Sequence, residues 1–216
     1  MNILNEYFDK IYCINLDRRP DRWSECEEIF NKMDLKVERF SACDGQTIDT
    51  GYGKVYNGEL GGTITHTRLL RQIKYDGMDK VLILEDDIEF CEDFFTKFEL
   101  ILKQLPYNWD LFFFGGNHTG GYQMVSENIG KVYRTLALHS YAVRQKSVDV
   151  LYENMINFVG HTLCCNKQLP PSVAADFYMA KVQPMLNSYS IFPNLTWQRE
   201  SFSDLQQDVM NYDFLK

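Results

Sequence analysis

Glu85, Asp86 and Asp87 are three consecutive carboxylates, and they follow directly on the aliphatic run Val81-Leu82-Ile83-Leu84. Neighbouring carboxylates repel one another unless a cation joins them, and oxygen ligands suit the hard ions Mg²⁺ and Mn²⁺, which in turn suit a diphosphate. The chemistry on offer is metal-assisted binding of a phosphorylated ligand. The other reading is an acidic turn that caps the next helix, because Glu89, Glu92 and Asp93 follow and acids favour a helix N-terminus. This stretch alone leaves both open.

Further residues with chemistry to offer are scattered along the chain. Arg18, Arg19 and Arg22 follow a first apolar stretch, where they would meet phosphates or simply open a helix in solvent. His66 lies in a helical pattern as a site residue or a bonded core histidine, and His139 stands at the start of a strand pattern as a possible third metal ligand. Asp176 sits among Val173, Ala174, Ala175 and Phe177, so it either faces solvent or is a desolvated base aimed into a cleft. Cys164-Cys165 has no redox spacing, and Gly51-Tyr52-Gly53 begins a dinucleotide fingerprint without a helical pattern in the right place.

These residues need elements to hold them. Val81–Leu84 reads as a strand buried on both faces, and carboxylates cannot follow it into such a core, so they mark its mouth. In an open α/β sheet the crevice beyond the carboxyl ends of the strands is where ligands bind. Before it come a strand over 10–16, a helix opened by Pro20 and running to about Met33, and a strand over 37–42 ending in the turn Cys43-Asp44-Gly45. A polar loop to Asn57 follows, then Gly58-Glu59-Leu60-Gly61-Gly62, whose glycines suit close backbone approach to a ligand and free helix amides. A helix continues through Leu69, Leu70 and Ile73 to Asp76-Gly77. Downstream the pattern predicts a helix over 94–105 stopped by Pro106, a strand over 109–114, and a flexible glycine-rich loop over 115–121. A strand pattern within 132–143, helices over 147–158 and 172–182, a strand over 188–192 and a polar tail over 193–204 complete the chain. The tail either covers the site or packs on the surface. Strands alternating with helices define an α/β class.

The 216 residues suffice for one large domain, and 45% hydrophobic with 24% charged residues is a globular composition. With 22 basic and 30 acidic residues the net charge is −8, which disfavours nucleic acid as a partner. Six cysteines without metal spacing, no signal-peptide pattern and no apolar run of membrane-spanning length lead to the expectation of a soluble cytoplasmic chain. The sequons at Asn117 and Asn194 are then chance matches.

Seven stretches taken together resemble glycosyltransferase family 25, the lipooligosaccharide and procollagen galactosyltransferases. They are Ile14-Asn15-Leu16-Asp17-Arg18-Arg19 with Arg22, Ala42-Cys43-Asp44-Gly45, Gly58 through His66, Leu84 through Asp87, Ser140 through Val143, Asp176, and Gln198 with Ser201. Thr65 and Gly62 stand where the family more often has serine and cysteine, and the family does not require a histidine at His139. The resemblance implies a GT-A type nucleotide-sugar-binding sandwich with a mostly parallel central sheet in a single domain. Its nucleotide-binding half would run over about 1–115 and its acceptor-side half over about 116–216. It implies Mn²⁺ or Mg²⁺ held by Asp87 and Glu85, with His139 a possible addition, and Asp86 turned toward the donor sugar or ribose. It places Asn15, Arg18, Arg22, Asp44, Glu59 and His66 around a UDP-sugar, and Gln198 and Ser201 at the acceptor or site-closing side. The activity implied is inverting transfer of galactose or glucose from the UDP-sugar to a glycan or other hydroxyl acceptor, with Asp176 as the base. A metal-dependent nucleotidyltransferase, a sugar-nucleotide hydrolase and a non-catalytic glycan-binding protein are the alternatives.

Overall fold

The apolar run before the acids forms a strand whose side chains divide between two cores, as a strand buried on both faces requires. Leu82 and Leu84 join one buried cluster, and Val81 and Ile83 join the other. The computed structural model describes residues 2–51, 53–164, 172–203 and 208–210. In chain order, α1 (Ile3–Tyr7) leads into β1 (Lys10–Asn15), α2 (Pro20–Lys32), β2 (Val37–Ser41), α3 (Lys54–Asp76) and β3 (Lys80–Glu85). Next come β4 (Ile88–Phe90), α4 (Phe94–Leu102), β5 (Leu111–Phe113), β6 (Asn117–His118), β7 (Tyr122–Met124), β8 (Ile129–Val132), β9 (Thr135–Leu136) and β10 (Ser140–Arg144). Then follow α5 (Gln145–Cys164), α6 (Ala175–Val182), β11 (Ser188–Ile191), β12 (Thr196–Gln198), β13 (Ser201–Ser203) and β14 (Asp208–Met210).

Among the described residues an eight-stranded sheet has the order β2-β1-β3-β10-β5-β11-β8-β7. The pairings make β10 and β8 the two strands that run against the rest, so the sheet is mostly parallel in direction. Residues from α1, α2 and α4 build the core on one face, around Leu4, Cys26, Phe30, Phe94 and Phe98. Residues from α3, α5 and α6 build the other, around Leu69, Ile73, Leu151, Met155 and Met179. The result is the single-domain α/β sandwich that the pattern and the resemblance imply. In the β1–β3 register Ile14 pairs with Glu85, which sets Asn15 and the acids at one sheet edge.

The structure decides between the two readings of the acids. Glu85 ends β3, Asp86 and Asp87 form a turn, and β4 intervenes before α4 begins at Phe94. The N-cap of α4 is Asp93, whose side chain makes no capping bond. The triplet therefore caps no helix.

The polar stretch ending at Asn57 differs from expectation, because α3 begins at Lys54 and encloses Gly58 to Gly62. Amides inside a helix are bonded within it, so these glycines offer no free N–H groups to an anion. Packing gives one of them a different purpose. A Cβ on Gly61 would sit 2.7 Å from the Cys43 carbonyl oxygen, and one on Gly45 would sit 2.5 Å from that of Asn57. The turn after β2 thus meets α3 backbone to backbone. Nor is 115–121 wholly free loop: Asn117–His118 pair with Thr135–Leu136. Cys165 and the prolines 170 and 171 lie outside the described residues.

Gly61→Ala is expected to cost about 1–3 kcal/mol through this clash. Gly62→Ala, whose Cβ would meet nothing within 4 Å, is expected to gain up to about 1 kcal/mol in helix propensity. Thermal melts of the two variants should shift in opposite directions.

Candidate active site

A cavity of about 770 Å³ opens at the carboxyl edge of β1 and β3. Its wall brings together Asn15, Arg18, Arg22 and Asp44 with Glu59, His66, Glu85, Asp86, Asp87, Asp176 and Gln198, residues that are far apart in sequence. His139 does not line it, and the side chain of Ser201 lies outside the described residues.

The strand end holds its acids by specific bonds. Asn15 Nδ2 donates to Asp86 Oδ2 at 2.6 Å, and Arg22 Nη1 donates to Asp86 Oδ1 at 2.5 Å. Arg22 Nη2 reaches Asp87 Oδ2 at 3.3 Å, and Gln198 Nε2 reaches the same oxygen at 3.4 Å. Gln198 arrives there because β12 pairs with β4, and the Arg199 N–H donates to the Asp87 carbonyl at 2.6 Å. Glu85 meets His66 Nε2 at 3.5 Å, while His66 Nδ1 is hydrogen-bonded to the Tyr141 hydroxyl at 2.8 Å. On the rim, Arg18 Nε donates to Asp44 Oδ2 at 2.8 Å.

Burial and crowding pull the acids apart in acidity. Burial pushes Asp87 up to about 7, with Glu85 and Asp86 adding repulsion and Arg22 opposing it. Asp86 is also raised by burial, against Arg22 and the Asn15 bond. Burial acts in the same direction on Glu85, yet His66, His139 and Arg22 hold its carboxyl below the ordinary value. On the other wall Asp176 is raised by burial. Its Oδ2 accepts from the Ala137 N–H at 3.2 Å and its Oδ1 from the Phe177 N–H at 2.7 Å.

One orphaned atom bears on whether the donor set fits a divalent ion. Asp87 Oδ1 is buried and has no hydrogen-bond partner among the described residues, in a carboxyl strained by two neighbouring acids. An ion there would supply the missing partner and offset the repulsion. No group of three or more potential ligand side chains is assembled among the described residues. The arrangement therefore fits an ion that takes one or two carboxylates and fills its shell with phosphate oxygens and water, as Mg²⁺ characteristically does. His139 is fully buried, with Nε2 on the Thr196 carbonyl at 3.3 Å and Nδ1 without a partner among the described residues. Burial holds its pKa below the usual value.

Three contributors go beyond the residues that the sequence singles out for the site. Arg39 Nε donates to Asn15 Oδ1 at 2.8 Å, which orients the amide so that its NH₂ faces Asp86. Tyr141 lies within a strand-like run, and its bond to His66 spans 75 positions. Ala137 adopts φ +67, a left-handed conformation costing a non-glycine residue about 1–2 kcal/mol, and from it presents its N–H to Asp176.

An α/β sandwich whose sheet edge gathers buried acids and arginines around one cleft is a ligand-binding architecture of the kind enzymes use for phosphorylated substrates. The chain belongs to glycosyltransferase family 25: the family described as "Glycosyltransferase family 25 (LPS biosynthesis protein)" matches residues 8–177. A glycosyltransferase 25 family member of Drosophila pseudoobscura pseudoobscura is 33% identical over 127 residues, covering 50% of this chain and 20% of that protein. In Mus musculus, procollagen galactosyltransferase 2 and inactive glycosyltransferase 25 family member 3 are each 25% identical over 129 residues, 50% of this chain and 21% and 22% of theirs. The chain thus spans about a fifth of the length of these relatives. Among solved structures, A197 from STIV matches with TM-score 0.48 and 11% identity over 96% of both chains. Among the described residues no helix is long and apolar enough to cross a membrane.

Asp87 goes from 3.8 to about 7 on folding, so between those values the folded protein binds more protons and this group's contribution to stability falls as pH rises. Asp87→Asn cannot ionise. In chelator it is expected to raise Tm at pH 8 and to give a smaller gain at pH 5; an equal change at both pH values would contradict the assignment.

Proposed function

We propose that this chain transfers a hexose, galactose or glucose, from a UDP-sugar to a hydroxyl of a glycan or other acceptor, with inversion and with Mn²⁺ or Mg²⁺ bound. The observation that carries the reading is the pairing of two environments in one cleft: acids and arginines at the β3 end, and the buried carboxyl of Asp176 on the other wall. Membership of the family supports it.

In this reading Arg18 and Arg22 attract the diphosphate, while Asn15, Asp44 and Asp86 orient the nucleoside and sugar. Asp87, with Glu85 beside it, would hold the ion, which supplies charge compensation for the departing UDP. Asp176 accepts the acceptor hydroxyl's proton as that oxygen bonds to the anomeric carbon and the bond to UDP breaks. A carboxylate whose pKa burial has raised is the better base for that step. Gln198, which reaches Asp87, and Ser201 are proposed for the acceptor or site-closing role. One relative named inactive favours a second reading, a glycan-binding protein of this fold without turnover.

Calorimetric titration with UDP, GDP and CMP, with and without Mn²⁺, is expected to show selective UDP binding that needs the metal and disappears in Asp87→Ala. Absence of metal-dependent nucleotide binding would remove the donor-site reading. With a UDP-sugar and a competent acceptor, Asp176→Asn is expected to lower kcat by roughly 10²–10⁴-fold at unchanged UDP affinity. Near-normal transfer by that variant would remove Asp176 from its role, and UMP or free sugar as product would point to a nucleotidyltransferase or a hydrolase.

A further inference from the structure

Close in sequence to the cavity-lining Leu136 and Asp176, though not among the lining residues themselves, stand a cation and an aromatic ring that the donor site does not use. Leu136 and Asn117 line the cavity on paired strands, and Ala137 holds Asp176. Arg134 stands one residue before β9, and Phe177 one residue after Asp176. The Arg134 guanidinium lies 5.5 Å from the Phe177 ring centroid, and the Phe177 side chain is nevertheless 42% exposed.

The arginine is seated rather than loose. Its Nη1 donates to Thr119 Oγ1 at 2.5 Å, and its carbonyl accepts from the Gly120 N–H at 3.2 Å. A Cβ on Gly120 would fall 2.5 Å from Arg134 Cβ, so the glycine lets this loop lie against the arginine. Yet among the described residues Arg134 forms no ion pair with a carboxylate, and that one bond leaves most of its five N–H donors available. In a chain of net charge −8, a fixed guanidinium without a carboxylate is complementary to an oxyanion from outside. An exposed ring beside it offers a flat apolar surface to a sugar.

We propose that Arg134 and Phe177 form an acceptor subsite beside Asp176 that takes a glycan bearing an anionic group, a carboxylate or a phosphate. The ring packs against the sugar and the guanidinium binds the oxyanion bidentately, presenting a neighbouring hydroxyl to Asp176. This rests on the reading of Asp176 as the base of a glycosyl transfer.

The test is ligand-observed NMR titration of the full chain in UDP and Mn²⁺ with three probes: methyl glucoside, methyl glucuronide and glucose 6-phosphate. At least one anionic probe is expected to bind about fivefold or more tightly than the neutral one. Which of the two binds more tightly identifies carboxylate or phosphate as the group selected. Arg134→Met should abolish the preference, Arg134→Lys should retain part of it, and Phe177→Ala should weaken all three probes. UDP affinity, measured in parallel, should stay unchanged in each variant and also reports that the variant is folded. Equal binding of all three probes, or a preference that survives Arg134→Met, would overturn the subsite while leaving the donor reading intact. Failure of the parent chain to bind UDP would instead overturn the donor reading.

Discussion

A guanidinium clasped between two buried carboxylates is what allows a core strand to end in acids. Arg22 reaches both Asp86 and Asp87, and its own side chain is only 12% exposed. Without it, two adjacent carboxyls would face each other at the edge of the core, and removing one partner of such a group typically costs several kcal/mol. Arg22 is available because α2 leaves the end of β1 and packs against the same face as Leu84, with Cys26 and Phe30 buried beneath. Compensation is incomplete, however. Asp87 retains a raised pKa and an oxygen without a partner among the described residues. A cation bound there, as proposed, would offset that residual imbalance.

The other constraint is the distance between the two walls of the cleft, and α3 sets it. At one point the helix touches the acids through His66 and Glu85. About two turns earlier Glu59 accepts from Ser172 Oγ and from the Val173 N–H, each at 2.9 Å, and between them Thr63 Oγ1 donates to the Val173 carbonyl at 2.5 Å. Those bonds fix the segment leading into α6, whose first turn carries Asp176. Glu59, expected to line the donor site, therefore lines the cleft and also ties its walls together. The close approach of Gly61 to Cys43 seats the same helix against the turn that holds Asp44.

Asp176 and the acids thus owe their different properties to different surroundings rather than to residue type. Backbone N–H groups hold both carboxyl oxygens of Asp176, while burial raises its pKa. Glu85, in contrast, is held ionised by two histidines and an arginine. One cleft can then contain a carboxylate suited to accepting a proton and others suited to binding charge.

Resemblance to the family supplied Asn15, Asp44, Glu59 and Gln198, while the sequence's own pattern determined the alternating α/β order, the buried strand that stops at Glu85, and the acids, arginines, His66 and Asp176 as candidates for the cleft. Those signals are local: apolar runs, proline and glycine punctuation, and carboxylates that an apolar strand cannot bury. What only the tertiary structure decided was relational. Whether Glu85 to Asp87 cap a helix depends on where β4 lies, and β4 is fixed by its pairing with β12, more than a hundred residues away. That Gly61 serves packing rather than a ligand depends on Cys43 being across from it. Arg39 behind Asn15, Tyr141 behind His66 and the left-handed Ala137 behind Asp176 leave no periodic trace, because a bond across the fold constrains two distant positions and neither neighbourhood.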